Sequence, residues 1–115
     1  MLKYLATLLF LFSLPILTIA QQPASVKGNV YDTATKRGLA YATISIVHAK
    51  DSTLVTFTRA DSTGKFSFKS LEKGNYLLSA SYVGYILVWK NIEVKTGQEL
   101  DMGQIIMTDL LHGGD

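Results

Sequence analysis

The chain has 115 residues, 48% of them hydrophobic, with 11 Lys and Arg against 9 Asp and Glu, a formal charge of +2 and no cysteine. That length suits one domain, and the lack of cysteine excludes disulfides, thiol catalysis, cysteine-held metals and a lipid-modified cysteine. The basic residues from Lys27 to Lys95 are interspersed with acidic ones and form no run, so the chain carries no electrostatic footprint for nucleic acid.

The N-terminus, "MLKYLATLLFLFSLPILTIAQQ", has Lys3, an apolar run from Leu5 to Leu17, and Thr18 and Ala20 at the small-residue positions. It reads as a signal helix over residues 1–20, cleaved after Ala20. A retained membrane anchor is the alternative, and Pro15 together with the polar "QQPAS" that follows speaks against it. Export places the protein in the cell envelope, and loss of Lys3 leaves a charge of +1. Residues 21–24 form a linker, 25–108 the domain and 109–115 a C-terminal tail.

Beyond Pro23 there is no proline and no sustained 3.6-residue periodicity; the alternation is that of strands. "SVKGNVY" (25–31) sets Val26, Gly28 and Val30 against Ser25, Lys27 and Asn29. After the polar loop "DTATKRG", the run "LAYATISIV" puts Ala40, Ala42, Ile44 and Ile46 on one face, and "TLVTFTRA" follows across "HAKDS" as the second arm of a hairpin. In "DSTG" Asp61 caps a turn and Gly64 is free to take a positive φ. Phe66 and Phe68 share a face of the next strand, as do Tyr76, Leu78, Ala80 and Tyr82 after "EKG". The even placement of Gly64, Gly74 and Gly84 predicts structural turns of hairpins, because a strand and its turn take about ten residues. "GYILVWKNIEV" and "QELDMGQIIM" complete about seven strands, the pattern of an all-β antiparallel sandwich.

The ordered set "GNVYD" (28–32), "GLAYATISI" (38–46), "TRADSTGKFSF" (58–68), "LEKGNYLLSASYVGY" (71–85) and "LDMGQIIM" (100–107) resembles the carboxypeptidase regulatory-like domain. The resemblance covers almost all of the chain after the leader. It implies a transthyretin-like, seven-stranded antiparallel Greek-key sandwich. It further implies a place directly after a signal peptide and before a TonB-dependent receptor or another outer-membrane β-barrel. The chain stops at "HGGD", short of any barrel, so it is expected to be a stand-alone module or the head of a longer protein.

No reaction centre is expected. His48 and His112 lack acidic partners at metal-ligand spacing, no serine sits in a nucleophile setting, and no cofactor is implied. Asp32 and Asp61 read as turn caps, since no dense run of oxygen ligands surrounds them for calcium. Transthyretin-like hydroxyisourate hydrolases use several histidines and a C-terminal tetrapeptide that this chain lacks. Pilin-type sandwiches join a lysine to an asparagine of the last strand; Lys27 is in place here, but "LDMGQIIM" has no asparagine. Trp89, Tyr82 and Tyr85 are the candidate carbohydrate-binding residues, as a platform of rings on which a sugar stacks. The reading is therefore a non-enzymatic accessory module of the periplasm or outer membrane whose partner is a neighbouring barrel or receptor domain. The alternative is a small secreted carbohydrate-binding module.

Overall fold

A computed structural model describes residues 22–111. The expected leader with its expected cleavage site, and His112, lie outside them. Eight strands run in order: β1 (Ala24–Asp32), β2 (Arg37–Gly38), β3 (Thr43–His48), β4 (Leu54–Arg59), β5 (Lys65–Leu71), β6 (Gly74–Ser81), β7 (Val88–Val94) and β8 (Glu99–Ile106). Seven are those expected, and β2 is a two-residue addition inside the polar loop. One sheet has the order β4-β3-β6-β7; in the other, β1 pairs with β2, β5 and β8.

All pairings are antiparallel except β1 with β8, which run parallel. Parallel pairing needs a long crossover, and the whole domain between the two strands supplies it. Because β1 and β8 run the same way, Gln22 and Asp109 stand at opposite ends of the sandwich.

The core lies between the sheets. Alternation turns Val26 and Val30 of β1, Ile44 and Ile46 of β3, Leu78 of β6 and Ile105 of β8 fully inward, with Phe66, Phe68 and Tyr76 filling the gaps. The Phe66 and Phe68 rings meet edge to face, centroids 6.0 Å apart. Burial of a side chain of this size contributes roughly 1.5–3 kcal/mol. Toward the end of β5 the alternation breaks, because Ser70 takes φ 62° and the register against β1 shifts between Ala24 and Val26. This bulge spends one residue outside and lets Leu71 turn in. Ala24, expected in the linker, opens β1 and is buried, because it pairs with Leu71.

The glycine turns differ from expectation in one respect. Gly64 has φ 88°, and Asp61 caps its turn: Oδ1 accepts from the Thr63 amide (2.8 Å), the Thr63 hydroxyl (2.7 Å) and the Lys65 amide (3.0 Å). Yet the turn joins β4 to β5, strands of different sheets, so it is a crossover and not a hairpin. The same holds at residues 72–73, where the chain returns to the other sheet, and Gly74 is the first residue of β6 paired with Val94 rather than a turn residue. Only Gly84 (φ 85°) lies in a hairpin loop, between β6 and β7. Both sheets must share Phe66, Phe68, Tyr76 and Leu78 in one core, and consecutive strands reach it from opposite sides.

Gly38 is required by close approach. A Cβ there would stand 1.8 Å from the Thr63 carbonyl oxygen, and one on Gly64 would stand 2.5 Å from that of Val30. Val30 donates to the Gly64 carbonyl (2.8 Å) and accepts from Leu39 (2.9 Å), so three backbones meet where side chains cannot fit.

Candidate functional site

The β4-β3-β6-β7 sheet turns one face to the core and the other to solvent. Residues paired across neighbouring strands share a face, so register alone defines the outer rows. One row is Phe57, Ser45, Ser79, Trp89 and the next Leu54, Val47, Leu77, Asn91. Phe57 is 63% exposed, Leu54 61% and Trp89 52%, whereas Val47 and Ser79 on the central strands are buried. Two aromatic rings on the edge strands thus flank a floor of serine hydroxyls and aliphatic side chains, across about 14 Å of sheet. A solvated face of an antiparallel sheet is ordinarily polar. Here the apolar residues stand on the edge strands, with Ser45 and Ser79 between Phe57 and Trp89.

The structure does not assemble Trp89, Tyr82 and Tyr85 into one platform. Trp89 is on the outer face, while Tyr82 and Tyr85 pack against the core at the end of the sandwich, edge to face with centroids 5.4 Å apart. Tyr85 is held there by chemistry that sequence reading missed. Its hydroxyl donates to Asp32 Oδ2 at 2.5 Å, between residues 53 apart in the chain.

Asp32 is nearly fully covered, and its other oxygen accepts from the amides of Ala34 (2.8 Å) and Thr35 (3.4 Å). The Tyr85 hydroxyl, helped by those amides, holds the carboxyl below its usual 3.8; reciprocally, the carboxylate pushes the Tyr85 phenol from 10.0 up to about 12. The pair fixes the end of β1 to the β6–β7 loop. That loop also pairs with the chain's last described residues, through Ile86 to Thr108 and Leu110 to Gly84 (both 2.9 Å), and leaves Val83 exposed beside Leu87, Leu110 and Leu111.

Among the described residues no group of three or more His, Asp and Glu could hold a metal ion. The His48 ring stacks on Tyr76, centroids 5.7 Å apart. Lys27 is half exposed and pairs with Glu99 at 3.3 Å. Phe57 and Ser79 were the unrecognised members of the outer face. "TLVTFTR" is apolar on both faces of a strand, which is the signal that could have found Phe57.

The family model described as the carboxypeptidase regulatory-like domain matches residues 25–108. No curated protein matches the chain. Among solved structures, the fold is similar to the TIE protein of Bacillus anthracis, at 19% identity and TM-score 0.62, over 76% of this chain and 16% of that one. It is also similar to BcpA, the major pilin subunit of Bacillus cereus, at 15% and 0.61, over 76% and 30% respectively. A putative carbohydrate binding protein of Pseudomonas aeruginosa, PA1324, is similar at 13% and 0.58, over 78% of this chain and 92% of that one. The first two are much longer than the region they share with this chain.

Proposed function

Because the chain belongs to the carboxypeptidase regulatory-like domain family, we propose that it is a non-catalytic accessory module of the cell envelope, exported by its leader, that works by packing against a neighbouring protein. The neighbour is an outer-membrane β-barrel or a domain of a TonB-dependent receptor. One observation carries the packing role: Leu54, Phe57, Leu77 and Trp89 lie together on a solvent-facing sheet that the fold gives no reason to make apolar. The envelope address rests on the leader-like sequence and on the family resemblance.

The test is fractionation of cells expressing the chain from its own start, with mass spectrometry of the product. The expected species begins at Gln21 and co-fractionates with outer membrane or periplasm. A cytosolic product beginning at Met1 contradicts the reading.

A carbohydrate-binding module is the second reading, supported by the exposed Trp89 ring beside the Ser79 hydroxyl and by the likeness to the Pseudomonas protein. Glycan-array binding that disappears in Trp89→Ala is its expected signature.

A further inference from the structure

The β1-β5-β8 side of the molecule carries a cleft of about 730 Å³. Register sets two polar rows into it, Ser67–Lys27–Asp101 and Lys65–Asn29–Gln104, each crossing β5, β1 and β8 in turn. The end of β4 adds Arg59 at its border.

Three features distinguish the cleft from an ordinary solvated sheet face. First, Asn29 Oδ1 is cut off from solvent and has no hydrogen-bond partner among the described residues. Buried acceptors are ordinarily paired, and Asn29 is among the residues that line the cleft.

Second, β8 bulges beside it. Met102 and Gly103 together stand opposite Gly28, with Gly103 at φ 65° and its amide held by Asp101 Oδ1 at 2.9 Å. Bulges gather next to binding sites because they re-aim the residues around them. This one brings two bare glycine backbones to the wall and shifts Gln104 into line with Asn29.

Third, the charges are unequal in their engagement. Lys27 is paired with Glu99, Asp61 is occupied by its turn, and Asp101 holds the Gly103 amide. Arg59 and Lys65 have no ion-pair partner among the described residues, and of the two the Arg59 guanidinium presents the planar fork suited to a carboxylate.

We propose that this cleft binds a saccharide bearing a carboxylate. Its hydroxyls exchange hydrogen bonds with Asn29, Gln104 and Ser67, and its carboxylate pairs with Arg59. Amides and hydroxyls both donate and accept, as sugar hydroxyls do, while a bare inorganic anion would leave the Asn29 acceptor unmatched. Asn29, Gln104 and Ser67 are on the opposite sheet from the apolar face, and Arg59 alone comes from β4, two residues beyond Phe57 on the outer side of that strand.

The test is titration of the purified chain, followed by amide NMR, with oligogalacturonate, with a neutral cello-oligosaccharide and with sulfate. Saturable shifts at residues 27–29, 65–67 and 101–104 with oligogalacturonate are expected, at an affinity at least tenfold above the other two. Arg59→Gln should remove that preference, and Asn29→Ala, checked for an unchanged melting curve, should weaken binding about tenfold. Gln104→Ala serves in its place if Asn29→Ala melts early. Trp89→Ala should leave the affinity unchanged. No saturable shift with oligogalacturonate overturns the proposal, as does equal binding of sulfate or the neutral sugar, or binding indifferent to Arg59→Gln.

Discussion

The two sheets enclose one core but turn opposite kinds of face to solvent. On the β1-β5-β8 side the outward rows are Lys27, Asn29, Lys65, Ser67, Asp101 and Gln104, the polar alternation that a sheet with one wet side should show. On the other side Leu54, Phe57, Leu77 and Trp89 stand where polar residues would serve the fold as well. Folding requires only the inward half of each strand to be apolar. The outward half is free of that requirement, and here the two outer faces differ.

The largest expected effect removes the frame that both faces share. Phe66→Ala deletes a ring buried between the sheets and should cost about 3–5 kcal/mol by thermal or urea unfolding. Against a total of about 5–15 kcal/mol that is severe. A melting curve like that of the parent would place Phe66 outside the core.

Next come the glycines at the seam of β1, β2 and the β4–β5 turn. Gly38→Ala forces a methyl group against the Thr63 carbonyl, so it should destabilise more than Gly84→Ala, where a Cβ meets nothing within 4 Å and only the strained φ is felt. Gly64→Val should likewise cost more than Ser62→Val, two residues earlier in the same turn. Equal melting temperatures within either pair would contradict the close approach.

The Asp32–Tyr85 bond ties the two sides together at one end and gives a pH signature. Asp32 titrates below its ordinary 3.8 in the folded chain, so its contribution is present above that value and is lost as pH falls through the lowered one. Tyr85 titrates above 10.0, at about 12, so its contribution is complete below pH 10 and is lost as pH rises through 12. Tyr85→Phe should therefore lower the melting temperature most between about pH 4 and 10, and should flatten the alkaline decline. A deficit that is constant across the whole range would deny the bond its charge.

The smallest stability effects belong to the outward faces. Phe57→Ser with Trp89→Ser, and Lys27→Ala on the other sheet, should each stay within about 0.5 kcal/mol of the parent, as surface changes do. The first pair should nonetheless lower binding of an apolar dye, and Lys27→Ala should not. A large loss of stability from the Phe57 and Trp89 changes would make that face part of the fold.

Which residues point inward was legible from alternation: Val26 and Val30, Ile44 and Ile46, Phe66 and Phe68, and Tyr76, Leu78 and Ala80 all lie in the core. Which strands are neighbours was not. Period-two patterning reports a side of a sheet and not the identity of the next strand, so the crossovers at residues 61–64 and 72–73 read as hairpins and the parallel β1–β8 pair went unseen. Trp89 was recognisable as a ring free to meet a ligand, but its companion Phe57 is 32 residues earlier, on the far edge of the same sheet. Asp32 and Tyr85 each suggested another role, and only the folded chain puts one oxygen beside the other.

The claim that the apolar face meets a protein is tested most directly by site-specific photo-crosslinking in the envelope of living cells, with the reactive group placed in turn at positions 57, 89, 27 and 67. The account predicts a discrete protein adduct, of one mass, from positions 57 and 89 and none from 27 and 67. Adducts of equal yield from both faces, or none from positions 57 and 89, would contradict it.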